Sequence, residues 1–405
     1  MKNPQDDLPE LKFLRRQTEK NQYNIDCQAR QIAAIKSGVI QAPPEGLTVD
    51  SPQLLQDVPP PERQWCVRGW IPDEEVTGLY GDGGLGKSLA AQQLATCVAL
   101  GVPWFGLPTD KRRVLYVSCE ETTSELHRRQ AAINRSIGCT FSDLGHCEWI
   151  CRVGEDNALV HLSCAYGAHS LQIVTTPFHD QIRYYSEAHS VSLLIVDTAA
   201  KVYPLDENNR YQVDYFVSRI LGNIARELCG AVVLVAHPSR AGIRDGDISS
   251  GSTGWNNAFR SRMTFTRPKN EGNDPDVRIL SRKKANYASI DGEVQLRYDD
   301  GAWKAETNFG GALGTAEARG IENRVLDCLS DLVKRGHRLS PSNASTNCAA
   351  KMIKRQGSFH DASKAKIDTA LVSLEQQNRI EIRTEGPASR TVRYYAPSSN
   401  KVMLL

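Results

Sequence analysis

The stretch GDGGLGKS, Gly81–Ser88, constrains this chain more than any other. Gly81, Gly86, Lys87 and Ser88 satisfy the pattern G-x-x-x-x-G-K-[ST], in which each fixed position has a mechanical reason. A loop of Gly81, Asp82, Gly83, Gly84, Leu85 and Gly86 can turn its backbone N–H groups inward around phosphate oxygens, because glycines tolerate the required dihedrals. The N-terminus of a following helix adds partial positive charge. Lys87 is then placed to reach the β- and γ-phosphates, and the Ser88 hydroxyl to ligate Mg²⁺. The pattern requires a strand before it and a helix after it. VTGLY ahead reads as a buried strand, and KSLAAQQLATCVAL behind reads as a helix stopped by Gly101.

Three more apolar runs end in polar groups. RRVLYVSCEETTSEL reads as a strand ending in Glu120 and Glu121, followed by a capping-box pattern at Thr122 and Glu125. Carboxylates at the C-terminal end of a parallel strand lie in the ligand crevice, where one could orient or deprotonate a water. The alternative is that both are helix-start acids complementing a dipole; the phosphate loop favours function for at least one. VSLLIVDT ends in Asp197, the second nucleotide motif, whose carboxylate holds Mg²⁺ through water. AVVLVAHPSR ends in His237, which would face the γ-phosphate and report its presence to the next loop. From about residue 63 to 310, strands alternate with helices, so an α/β core with a mostly parallel sheet is predicted. The loops AKVYPLDENNR (200–210) and RAGIRDGDISSGST (240–253) fall at its strand tips. An Asp-Gly hairpin turn is read in GEVQLRYDDGAW.

The remainder bounds the partners. No apolar run approaches the ~20 residues of a membrane span, and MKNPQDDLPELKFLRRQ lacks the apolar core of a signal peptide. A cytoplasmic protein with no membrane partner is expected. Eleven cysteines, an odd number, suit reduced thiols. Cys139, Cys147, Cys151 and Cys164, with His146 and His161, match no common zinc spacing. The net charge of +2 hides an asymmetry: from Glu317 onward 15 basic residues face 9 acidic ones, while the rest of the chain carries 34 against 38. A basic C-terminal end suits nucleic-acid contact or a solvated surface. The plan read from the sequence is a polar arm or linker (1–62) with a helix in DCQARQIAAIKSG, a nucleotide-binding core (63–310), a linker (311–320) and a C-terminal domain (321–398).

GDGGLGKS, YVSCEE, LLIVDT, LVAHPSR, GSTGWNNAFR and KKANYA occur in one order. That series resembles the RepA-like group of RecA-fold ATPases, replicative helicases of plasmids with relatives in phages and mobile elements. The likeness runs from about Trp65 to Trp303. It implies a RecA-like P-loop NTPase core assembled as a ring, a hexamer, with ATP and Mg²⁺ at subunit interfaces. By position, Lys87 and Ser88 match the phosphate lysine and the metal hydroxyl, Glu120 the catalytic glutamate and Asp197 the metal-linked aspartate. His237 matches a histidine switch, Arg260 an arginine finger, and Lys284 a basic residue that approaches ATP across the interface. The plasmid helicase has Glu-Asp where this chain has Glu120-Glu121, so either acid could be the catalytic one. The C-terminal extension resembles a winged helix, with RTEGPASRTVR as its wing and Lys364 and Lys366 near the start of a DNA-reading helix. The expected activity is an ATP-dependent helicase or translocase on single-stranded DNA in replication of a mobile element. Its expected partners are single-stranded DNA, further copies of the chain, and a replication initiator or primase. The rival readings are an ATPase that regulates DNA binding without unwinding, and a small-molecule phosphotransferase, for which no acceptor motif is seen.

Overall fold

The runs VTGLY, VSLLIVD and AVVLVA carry no polar stripe, so as strands they must be covered on both faces. The computed structural model describes residues 8–164, 171–237, 253–268, 274–288, 292–306, 311–342, 345–356, 359, 362–376, 379–385 and 391–398. The chain divides into two compact units, Met1–Ala305 and Glu306–Leu405. The first begins with α1 (Pro9–Lys36) and a short antiparallel pair, β1 (Trp65–Val67) and β2 (Ile71–Pro72). Then follow β3 (Val76–Tyr80), α2 (Lys87–Leu100), β4 (Arg113–Ser118), α3 (Thr123–Ile137) and β5 (Cys147–Cys151). A hairpin, β6 (Val160–Cys164) and β7 (Leu171–Thr175), leads to α4 (Pro177–Ala188), β8 (Val191–Asp197) and α5 (Ala199–Val202). Next, α6 (Arg210–Asp214) runs through a π-helical segment, Tyr215–Leu221, into α7 (Gly222–Glu227) and β9 (Ala231–Ala236). The unit closes with α8 (Thr253–Ala258), β10 (Ser261–Thr266), β11 (Val277–Ala285), β12 (Gly292–Asp299) and β13 (Ala302–Ala305).

One nine-stranded sheet organises the unit, in the order β13-β12-β11-β10-β3-β9-β8-β4-β5. From β10 to β5 every pairing is parallel, and β11 to β13 add an antiparallel extension. All residues of β3, β8 and β9 are buried. Alternate residues feed two separate cores, as the period of two dictates. Val114 and Tyr116 of β4 join Leu193 and Ile195 of β8 under α2 and α3. Leu115 and Val117 join Leu194 and Val196 on the other face, under α4 and the Arg210–Glu227 helical run. The expected α/β core with a mostly parallel sheet is therefore observed. The Asp-Gly turn is observed too: Asp300 and Gly301, both at positive φ, join β12 to β13.

Two boundaries differ from those read in the sequence. Residues 1–62 are expected as a polar arm or linker with a helix in DCQARQIAAIKSG, but α1 already starts at Pro9 and its first half docks on the unit. Phe13 is buried, while Lys12 and Arg16 pair with Asp110, Lys20 with Glu74, and Glu10 with Arg113. The polarity that suggested an arm belongs to this ion-paired face. The expected linker 311–320 is the opening of a helix, α9 (Gly311–Lys334). Its Ala, Leu, Glu and Arg are strong helix formers and outweigh the glycines between them.

The second unit consists of α9, α10 (Ala349–Lys354), α11 (Lys364–Gln376) and an antiparallel pair, β14 (Ile380–Glu385) and β15 (Val392–Pro397). Three helices and a hairpin give the winged-helix-like arrangement expected. Val325, Leu329, Ile353, Phe359, Ile367 and Leu374 form its core. The tip of the wing, 386–390, lies outside the described residues, as does most of the 240–253 loop. Lys364 pairs with Asp368 at 2.9 Å, and Lys366 is exposed. Among the described residues, no group of three or more His, Cys, Asp or Glu could hold a metal ion together, and no helix is long and apolar enough to cross a membrane.

Candidate functional site

Because β3, β4, β8 and β9 run in one direction, their C-terminal ends share one edge of the sheet, and the polar residues that follow them meet there. The loop Gly81–Gly86 leaves β3 at this edge. Gly81 has no room for a side chain, since a Cβ would collide with the Phe265 carbonyl of β10. Gly84 and Gly86 take φ of +73° and +91°, and a Cβ on Gly86 would lie 2.6 Å from Trp303 Cζ2. Gly86 is also the N-cap of α2 and gives it no side-chain cap. The first N–H groups of that helix therefore remain as donors for an anion.

Lys87 is buried at the mouth of this loop. Its Nζ donates to the carbonyls of Gly81 at 2.6 Å and Asp82 at 2.8 Å, and lies 3.2 Å from His237 Nδ1. An ammonium can only donate, so the last contact requires Nδ1 to be the unprotonated ring nitrogen. Burial lowers the Lys87 pKa to about 8, against the pull of Asp197, Asp82 and Glu120. Burial, then the Lys87 charge, lowers that of His237, which favours the neutral ring this contact needs.

Asp197 ends β8 with its carboxylate buried. Tyr116 of β4 donates to its Oδ2 at 2.6 Å, and the Ser88 hydroxyl lies close enough to favour its charged form. Burial raises the Asp197 pKa and the two hydroxyls hold it back. Ser88 and Asp197, the pair expected to serve the metal, therefore stand near one another. These residues fit a Mg²⁺–nucleotide: a hydroxyl beside a carboxylate, a buried ammonium, and an uncapped helix start.

The two acids after β4 have separate fates. Glu121 accepts from Arg129 Nη2 at 2.6 Å, and Arg129 also reaches Glu125 at 3.0 Å. Glu125 thus serves α3, whose N-cap Thr122 accepts from the Glu125 N–H. Glu120 makes no hydrogen bond or ion pair with the described residues. Its side chain is exposed, yet nearby protein partly dehydrates it and Asp197 repels its charge, so its pKa is raised.

Arg260 and Lys284 are not at this edge. Ser261 pairs with Thr77 and Arg262 with both Gly78 and Lys284, so Arg260 stands level with the start of β3 and Lys284 with its middle. About five and three strand residues separate those levels from Gly81, roughly 16 and 10 Å at ~3.3 Å per residue. Lys284 Nζ donates to the carbonyls of Asn256 at 2.8 Å and Asn257 at 3.2 Å, and burial followed by Arg260 and Arg262 lowers its pKa. Arg260 is exposed and has no carboxylate partner among the described residues.

Four supporting residues escape sequence reading. Tyr116 hides in an apolar strand, and Arg129 lies two turns into α3. Trp303 Nε1 donates to the Gly86 carbonyl at 3.1 Å, and its backbone exchanges two hydrogen bonds with Gln93 of α2. Arg278 Nε donates to the Leu85 carbonyl at 3.2 Å. Only the hydroxyl inside an apolar run was a usable signal, at Tyr116.

Residues 42–242, just under half of the chain, match a family model described as an AAA domain. No match was found among curated proteins. The matched span holds Gly81–Ser88, Glu120, Asp197 and His237 and stops before Arg260 and Lys284. It supports a P-loop ATPase family for this segment, and the sheet is that of an α/β RecA-like P-loop ATPase core.

Proposed function

We propose that this protein hydrolyses ATP with Mg²⁺ and uses the energy to move along single-stranded DNA in the replication of a plasmid, phage or integrated element. The observation that carries the ATPase part is the meeting of Lys87, Ser88, Asp197, Glu120 and His237 at one sheet edge around an uncapped helix start. Mg²⁺ would be held by Ser88 and, through water, Asp197, and would neutralise phosphate charge. Tyr116 fixes the Asp197 carboxylate. Lys87 exchanges loop carbonyls or His237 for phosphate oxygens. Glu120, with its raised pKa and no ion-pair partner among the described residues, orients and deprotonates the attacking water. His237 loses or keeps its Lys87 contact with the phosphate state and passes that state to the chain that follows it.

Arg260 and Lys284 stand away from the cradle of their own chain: Arg260 lies level with the start of β3, and the Lys284 ammonium is held by the Asn256 and Asn257 carbonyls. A ring in which they reach the neighbour's ATP is favoured by that separation and by the resemblance. The DNA part rests on the resemblance and on the basic C-terminal unit. That unit also favours a second reading, an ATPase that controls DNA binding without unwinding. The test is hydrolysis with and without single-stranded DNA, followed by displacement of a labelled strand from a fork. DNA stimulation with displacement supports the helicase. Stimulation without displacement supports the regulator, and no hydrolysis under any condition sinks both.

A further inference from the structure

The helix leaving the 200–210 loop carries an exposed file of side chains that the nucleotide site does not use. Tyr211 is 71% exposed, Tyr215 half-buried and Arg219 exposed. The two rings lie 6.1 Å apart between centroids, inclined by 41°. The Arg219 guanidinium stands 5.7 Å from the Tyr215 centroid. None of the three side chains hydrogen-bonds to the described residues. Val213, Phe216, Val217, Ile220 and Leu221 bury the other side of the helix, and Tyr215 packs against the same core by one part of its ring, which leaves Tyr211 and Arg219 outside it.

The helix itself keeps the three in line. In a plain α-helix each step of four residues rotates a side chain by about 40°. The π-helical segment beginning at Tyr215 has wider turns and takes that rotation back between Tyr215 and Arg219. The place is also where two strand-tip loops end. The first runs directly into Arg210. The second ends at α8, which packs on α6 with Gly254 against Arg210, a Cβ on Gly254 falling 3.2 Å from Arg210 Cα.

We propose that Tyr211, Tyr215 and Arg219 form a stacking platform for the bases of single-stranded DNA. The proposal rests on the DNA reading above and adds to it the residues that touch bases. Two π-faces and a guanidinium suit flat heteroaromatic rings of any sequence. Nearby charge does not favour a phosphate track: Lys201, Arg210 and Arg219 are balanced by Asp206, Glu207 and Asp214. Stacking, with little counterion release, is therefore the attractive term.

The test uses the full chain with an ATP analogue and an oligonucleotide containing 2-aminopurine, whose fluorescence is quenched by stacking. Tyr211→Ala and Tyr215→Ala should each weaken binding roughly 5- to 150-fold and relieve quenching, while Tyr→Phe at either position retains both. The dependence of log affinity on log salt should keep its slope in all four variants, since no phosphate contact is lost. Wild-type protein that binds no single-stranded DNA overturns the DNA reading and the platform together. Wild-type binding matched by both alanine variants overturns the platform alone. A flattened salt slope would make these phosphate contacts, and loss of self-association with intact DNA binding would make them a subunit contact; either result overturns the proposal.

Discussion

Replacing Glu120 and Glu121 one at a time by glutamine separates catalysis from scaffolding in two adjacent acids. Glutamine keeps size and removes the base. Glu120→Gln should lower turnover by about 10²–10⁴, the usual worth of a positioned general base, with ATP affinity nearly unchanged. Glu121→Gln should leave turnover within about tenfold and act on stability. Its bond to Arg129 is 2.6 Å long, with side chains 30% and 24% exposed. A hydrogen bond to a charged group contributes ~1.5–3 kcal/mol when buried. Partial exposure and the second Arg129 partner, Glu125 at 3.0 Å, reduce the loss to about 1 kcal/mol. The assays are steady-state phosphate release, binding of a fluorescent ATP analogue, and the urea midpoint of each variant. The pH profile adds a check: Glu120 must be ionised to act, and its pKa is raised, so activity should fall on acidification sooner than for an ordinary glutamate. An inactive Glu121→Gln beside an active Glu120→Gln would refute the assignment and make the Glu121–Arg129 pair part of the chemistry.

Gly86→Ala should lose nucleotide binding while the sheet folds, because φ is +91° and a Cβ would meet the Trp303 ring; wild-type affinity by equilibrium titration would contradict this. Lys87, lowered to about 8 by burial, binds phosphate in its charged form, so ATP affinity should be full below that pH and fall as pH rises through it. The same linkage requires proton uptake on binding at pH 9, visible as a buffer dependence of the calorimetric heat and absent in Lys87→Ala. Lys87→Ala and Arg260→Ala should each be nearly inactive alone and recover hydrolysis when co-assembled, since some interfaces then pair an intact Lys87 with an intact Arg260. Proven co-assembly without recovery would count against Arg260 acting in the neighbour's site.

What the sequence made legible was local. Each apolar strand could be read with the polar residue at its tip, because strand, tip and loop are contiguous. That sufficed for Gly81–Ser88, Asp197 and His237 and for the parallel sheet. It left Glu120 and Glu121 alike, since the bond to Arg129 that sets Glu121 apart depends on the geometry of α3. Trp303 and Arg278 support the loop from the antiparallel extension, at separations no periodicity encodes. The first half of α1 is not legible as part of a docked helix because it is polar and binds by ion pairs, a face that reads as solvent-exposed without Asp110 and Glu74 opposite it.

The bond from Trp303 to Gly86 spans 217 residues, and this has a bearing on how the protein is made. At ~5–20 residues per second, roughly 10–40 s of synthesis separate the two ends of that bond. The strand that carries the loop, β3, lies between β9 and β10 in the sheet, so both of its neighbours also leave the ribosome long after it does. Until then VTGLY is an apolar segment without its partners, on a nascent chain where such segments invite aggregation. The loop that holds the nucleotide is among the early parts of its unit to be synthesised and among the last to be braced.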